Sequence, residues 1–292
     1  MTDLFIGVVS HEGTRFPLNQ GADGLAASLI RALELRGLSS ELVINTADDW
    51  TPAVLELTQD LAKTSQRASL RFEQTWKAYL DEGSNIGTLH RAADSLTFLA
   101  RHLKLSLREL SPGFRQSSMA SVRRLINIEL SHVKLWQLGI ASGAPWVLVI
   151  EDDGSCADIK DLADGLAGLF DLHQGLMGNH YINLSASFQT KELGTGHLLA
   201  SADRQWAGPQ NRRIQQADRP ITNTVCAIAY RVELLNAIVE EFGQLSMAPV
   251  IPIDFKLNAA LMALRKREIL RAGDCLQVEP PPIIQMSMHE MG

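Results

Sequence analysis

The sequence predicts an α/β protein: a Rossmann-like, mostly parallel sheet flanked by helices, with a helical insertion over 51–115. Three observations predict it. Short, continuous apolar runs of strand length alternate with stretches of helical period. Strand, loop, helix and strand follow one another within about the first 45 residues, as in a βαβ unit. The runs are apolar at every position, which suits strands covered on both faces.

Taken in order, Leu4 to Val9 is a strand ending at Ser10, followed by a polar, glycine-containing loop from His11 to Gly21. Leu25, Leu29, Ile30 and Leu33 recur at helical spacing, with Gly37 placed to stop the helix, and Leu42 to Ile44 is a second strand. From Thr51 to about Leu110 the apolar residues fall at helical intervals (Leu70, Trp76, Leu80; Leu89, Leu96, Leu99, Leu103), read as three helices that end at Ser111-Pro112-Gly113. A long helix is expected from about Met119 to Leu138, closed by Ser142-Gly143-Ala144-Pro145. Trp146 to Ile150 is the most continuous strand signal and leads directly into Glu151-Asp152-Asp153-Gly154. A helix over Ile159 to Phe170 and a strand over Tyr181 to Leu184 come next. The polar stretch from Ser185 to Thr222 is too long for an ordinary connection, which points to a functional or mobile segment. Thr224 to Tyr230 is a strand, Val232 to Phe242 and Asp254 to Lys266 are helices, and Leu276 to Val278 is a last strand before Pro280-Pro281-Pro282.

The chain has 292 residues, 46% hydrophobic and 21% charged, which is globular rather than disordered. It reads as one domain over 1–292. A net charge of −6 argues against a dedicated nucleic-acid binder. Cys156, Cys226 and Cys275 are odd in number and form no CxxC pair, so neither a disulfide framework nor a thiolate zinc site is expected, and a reducing cytoplasm fits. No signal peptide is readable, and no run approaches the roughly 18 apolar residues of a membrane span. A peripheral membrane contact and a homo-oligomer stay open.

In open α/β sheets ligands bind beyond the carboxyl ends of the strands. Glu151, Asp152 and Asp153 occupy such a place. Three adjacent carboxylates raise one another's pKa unless cations offset them, and hard Mg²⁺ or Mn²⁺ suits their oxygens. An exposed turn, with Asp153 or Asp158 capping the following helix, fits the same residues.

Ile128-Glu129-Leu130-Ser131-His132 with Lys134 and Trp136, then Pro145 to Ile150 and Glu151-Asp152-Asp153, resembles the core of glycosyltransferase family 25. Cys226 to Tyr230, Pro252-Ile253-Asp254 with Leu257, and Pro282-Ile283-Ile284-Gln285 with Ser287 resemble later segments of that family, so the likeness covers roughly residues 118–289. The segment 51–110 has no counterpart in it, and the His11 to Gly21 loop is not distinctive of the family. The resemblance implies a GT-A fold and a metal-dependent transfer of a sugar from a nucleotide-diphosphate sugar, a UDP-hexose above all, to the hydroxyl of a glycan, lipid-linked or small-molecule acceptor, with inversion. It implies Asp153 and Glu151 as ligands of Mn²⁺ or Mg²⁺, Asp152 facing the ribose or donor sugar, and His289 completing the metal shell, where a loose tail histidine is the alternative. Asp254 is the candidate general base, a helix cap being its other reading. His132, rather than Lys134, would reach the donor diphosphate or base, since positions two apart do not share a helix face. Ser10, His11 and Arg15 lie where the nucleotide would enter, and a solvated loop fits them equally. Arg204, Arg212 and Arg213 are either a closing lid over phosphate or solvated charges; Trp50, Trp76 and Trp206 stack on a ligand or simply pack. Nucleotidyl transfer and a non-catalytic, partner-binding role are the competing functions.

Overall fold

The computed structural model describes residues 2–10, 24–46, 52–82, 87–111, 113–170, 180–185, 198–220, 222, 224–244 and 250–286. The strands are β1 (Leu4–Ser10), β2 (Ser40–Thr46), β3 (Trp146–Glu151), β4 (Gly154–Ser155), β5 (Tyr181–Asn183), β6 (Leu199–Gln205), β7 (Arg213–Ala217), β8 (Ala227–Arg231), β9 (Cys275–Glu279) and β10 (Ile284–Gln285). The helices are α1 (Leu25–Glu34), α2 (Pro52–Leu80), α3 (Thr88–Glu109), α4 (Phe114–Ser142), α5 (Ile159–Phe170), α6 (Val232–Gln244) and α7 (Ile253–Lys266).

Eight strands form one sheet in the order β2-β1-β3-β8-β5-β9-β7-β6. The pairings β1–β2, β1–β3 and β5–β9 are parallel, and the other four are antiparallel. Six strands therefore run one way, and β8 and β7 run against them. The chain is α/β and Rossmann-like, as the alternating periods predicted.

The period-two alternation of β1 and β3 sorts their side chains onto two cores. Leu4, Ile6 and Val8 join Trp146, Leu148 and Ile150 beneath α1 and α5. Phe5, Val9, Val147 and Val149 face α4, α6 and α7 on the other side. Helix α4 lies so close to the sheet that a Cβ on Gly139 would sit 2.7 Å from the Val147 methyls. Gly143, at φ 73° in the left-handed region, ends α4 and turns the chain into β3. Helix α2 contributes Trp76 and Leu80 to the α4-side core, so it shares the body of the protein.

Several elements differ from expectation. Between 51 and 110 there are two long helices, not three: α2 continues through Leu80 without a break. The polar stretch after Ser185 contains the antiparallel hairpin β6–β7, which extends the sheet through β9. Of the five β7 residues only Ile214 and Ala217 are buried, so the strand carried almost no apolar signal. Arg212 is not lid material: its guanidinium donates from Nε to the fully buried Asp161 carboxylate at 2.5 Å, which also accepts from Trp206 Nε1 at 3.1 Å and the Gln210 amide at 3.0 Å. That contact occupies Trp206 in packing, and Trp76 is likewise buried. The closing segment returns to the centre, where β10 pairs antiparallel with β4 just after the three acids.

Among the described residues no helix is long and apolar enough to cross a membrane.

Candidate metal and nucleotide site

The carboxyl ends of β1, β3 and β5 meet the start of the opposed β8 at one edge of the sheet, and the acidic turn sits there. Its frame is backbone hydrogen bonds: Glu151 N donates to Cys226 O at 2.8 Å and Asp152 N to Val9 O at 2.9 Å. The Asp153 carbonyl accepts from Met286 N at 2.9 Å, which ties the turn to the closing segment.

Alternation along β3 decides where each carboxylate goes. Glu151 follows Val147 and Val149 toward α4, where His132 Nε2 lies 3.3 Å from Oε1. Asp152 turns toward β1 and accepts from the Ser10 hydroxyl at 3.0 Å. Asp153 carries one carboxylate oxygen 3.8 Å from Cys226 Sγ. Gln285 closes the cluster: its Nε2 donates to Glu151 Oε2 at 3.4 Å and to Asp153 Oδ2 at 3.3 Å, while its Oε1 accepts from Thr224 Oγ1 at 3.0 Å. Ligand atoms of Glu151, Asp153 and Cys226 all lie within 4.8 Å of one another.

The donor chemistry distinguishes these three. Both carboxylates are half-buried and offer hard oxygens. The Cys226 thiol is buried, and burial, then the charges of Glu151 and Asp153, push its pKa well up. It stays protonated and is a poor partner for a hard ion. Glu151 and Asp153 therefore fit Mg²⁺ or Mn²⁺, and rotation of the Gln285 amide would add its carbonyl oxygen while its NH₂ turned to Thr224. Tyr230 lies fully buried near the same charge, and burial and Glu151 raise its phenol far above the ordinary range.

Asp254 is in the first turn of α7, after the cap position, which Pro252 occupies. Its carboxylate accepts from the Phe255 amide and its own, which favours ionisation. Burial acts more strongly the other way, Glu151's charge adds to it, and the carboxyl is raised from 3.8 to about 6. Two residues on, buried Lys256 pairs with Glu129 of α4, one helical turn before His132, and lies 5.3 Å from the Phe242 ring centroid. Asn258 then bonds both backbone groups of Thr222. These anchors fix α7 and hence Asp254. Pro252 and Phe255, on either side of Asp254, line a cavity of about 510 Å³ shared with Leu70, Arg101, Lys104 and Leu125 of α2, α3 and α4.

Three expected ligand contacts need correction. His132 is 0% exposed and stands behind Glu151, so it orients that carboxylate and does not touch a diphosphate. Its Nδ1 has no hydrogen-bond partner among the described residues. Ser10 and Asp152 are also buried and bond to each other, so they join the ends of β1 and β3 instead of presenting polar atoms to a nucleotide. His11, Arg15, Trp50 and His289 lie outside the described residues. Gln285, Thr224 and Cys226 carry site contacts that residue chemistry alone did not single out; the Pro282-Ile283-Ile284-Gln285 segment was the available signal.

No protein-family model matches the chain, and no curated protein matches it.

Proposed function

We propose that this protein is a metal-dependent glycosyltransferase that moves a sugar from a nucleotide-diphosphate sugar to an acceptor hydroxyl. The observation that carries the reading is the meeting of Glu151 and Asp153 at the carboxyl edge of the sheet, with Asp254 near enough for Glu151's charge to reach it. Position and chemistry agree with ligand binding at strand ends in α/β proteins. The likeness of residues 118–289 to glycosyltransferase family 25 supports the sugar-transfer version of this reading, with its GT-A architecture.

Glu151 and Asp153 would hold the divalent ion, and Gln285 would turn its amide oxygen to the same centre. When bound, such an ion neutralises charge on a departing diphosphate. His132 fixes Glu151 from below, and the Ser10–Asp152 bond locks the adjoining strand ends. Asp254 takes the proton from the acceptor hydroxyl as that oxygen attacks the sugar carbon on the face opposite the leaving group, which inverts the configuration there. A carboxyl titrating near 6 is ionised at neutral pH and basic enough for the task.

The test is a thermal-shift screen of nucleoside diphosphates with and without Mn²⁺ or Mg²⁺. The expected result is stabilisation by one diphosphate only when the metal is present, with uridine diphosphate first in line. Failure of every diphosphate with either metal overturns the proposal.

A further inference from the structure

Helix α3 buries one side and leaves the other bare. Phe98 and Leu105 face inward. Leu89, Leu96, Leu99, Leu103, Leu107 and Leu110 face solvent at 88%, 65%, 55%, 59%, 70% and 80% exposure. At about 100° per residue these leucines, with three exposed alanines between them, fill a continuous arc of roughly 120° that contains no charged residue. Their combined exposure equals about four fully exposed leucines, on the order of 500 Å² of apolar surface on one helix. Scattered surface leucines need no explanation, but a contiguous face of this size on a soluble body marks a contact surface.

The charges bordering the arc have one sign. Exposed Lys104 and Arg108 flank one side, and the uncharged, exposed Ser95 and Ser106 edge the other. The two acids of α3 are turned to partners on α2: Asp94 to Lys77 at 2.7 Å and Glu109 to Arg67. Arg101 is held by Glu73 of α2 at 2.5 and 2.6 Å. The helix therefore presents leucine with a cationic border, although the whole chain carries −6.

We propose that α3 is a docking face for an anionic lipid surface, lying in the interface plane with its leucines among the acyl chains and Lys104 and Arg108 at the headgroup phosphates. An apolar arc with a basic border is the pattern of an interfacial helix, and anionic headgroups complement the border. A second copy of the chain suits the face less well. Pairing two antiparallel α3 helices brings their cationic borders to the same side of the seam, an unfavourable juxtaposition of like charge. The inference stands on α3 alone and does not depend on the chemistry at Glu151 and Asp153.

The experiment is co-sedimentation of the full chain with vesicles of phosphatidylcholine alone and of phosphatidylcholine mixed with phosphatidylglycerol. Wild-type protein should pellet with the mixed vesicles and partition at least about tenfold less onto the neutral ones. Leu96→Glu with Leu103→Glu, the milder Leu96→Ser with Leu103→Ser, and Lys104→Glu with Arg108→Glu should each lower binding to the mixed vesicles, the two charge-changing pairs by at least about tenfold. All substituted side chains are exposed, so circular dichroism and thermal melting should match wild type. Equal binding of wild type and variants overturns the proposal, as does wild-type protein that stays in the supernatant. A wild-type dimer that the leucine pairs convert to monomer, with no vesicle binding, assigns the face to a second copy instead.

Discussion

Asp254→Asn removes a charge from a place where burial opposes it, and its effect on stability has a sign that depends on pH. The carboxyl titrates at about 6 in the folded protein against 3.8 ordinarily. A carboxyl raised on folding contributes stability that is fully present below the unfolded value and is lost as pH rises through the folded one. The whole span is worth about 3 kcal/mol at 1.36 kcal/mol per pKa unit. Of this, about 1.5 kcal/mol is lost between roughly pH 5 and pH 8. Asparagine has no such titration, and its side-chain oxygen can still accept the first-turn amides. The stability of the variant relative to wild type should therefore grow by about 1.5 kcal/mol over that interval, or about 3 °C in melting temperature for a chain of this size. Paired thermal melts of the two proteins at both pH values measure the difference, and titrations common to both cancel. The same variant should keep metal-dependent diphosphate binding and lose sugar transfer. A stability difference that stays flat or shrinks as pH rises would refute the account of Asp254 as a carboxyl held up by burial, whatever happens to activity.

Asp153→Ala should abolish Mn²⁺-dependent binding of a nucleoside diphosphate, read by calorimetry, while the melting temperature without metal changes little, since one of two adjacent like charges is gone. His132→Ala should cost about 2 kcal/mol in urea unfolding, because it empties a fully buried site, and should weaken metal binding by leaving Glu151 unbraced. Arg212→Ala leaves the buried Asp161 carboxylate without its counter-ion and should cost about 3–5 kcal/mol in urea unfolding. A loss below about 1 kcal/mol would show that Trp206 and the Gln210 amide satisfy that carboxylate by themselves.

The central sheet was legible where burial on both faces makes a strand apolar at every position. β1 and β3 stand out for that reason, and α5 matches its expected bounds because its apolar stripe is continuous. The β6–β7 hairpin was hidden because strands at a sheet's edge need few apolar residues, and β7 has only two buried positions. The division of 51–110 into helices failed because α2 has no glycine or proline from Ala53 to Leu80 to mark or deny a break. At the site, the position of the acids beyond β3 followed from the strand itself. His132 was misjudged although its burial was readable: Glu129, His132 and Trp136 recur at i, i+3 and i+7, the spacing of a core-facing stripe. An amide such as Gln285 carries neither charge nor distinctive period, so only folding brings it 134 residues along the chain to Glu151.

That last contact bears on how the protein is made. Synthesis runs from the N-terminal side, so β1, α4 and β3 can assemble long before residue 285 emerges. Until β10 arrives to lie along β4, the acidic turn lacks one of its walls and the amide that spans its two carboxylates. A nascent chain thus acquires its general shape first and the closed wall of its acidic turn only later, and a polypeptide halted around Pro280 would be packed yet leave Glu151 and Asp153 unspanned.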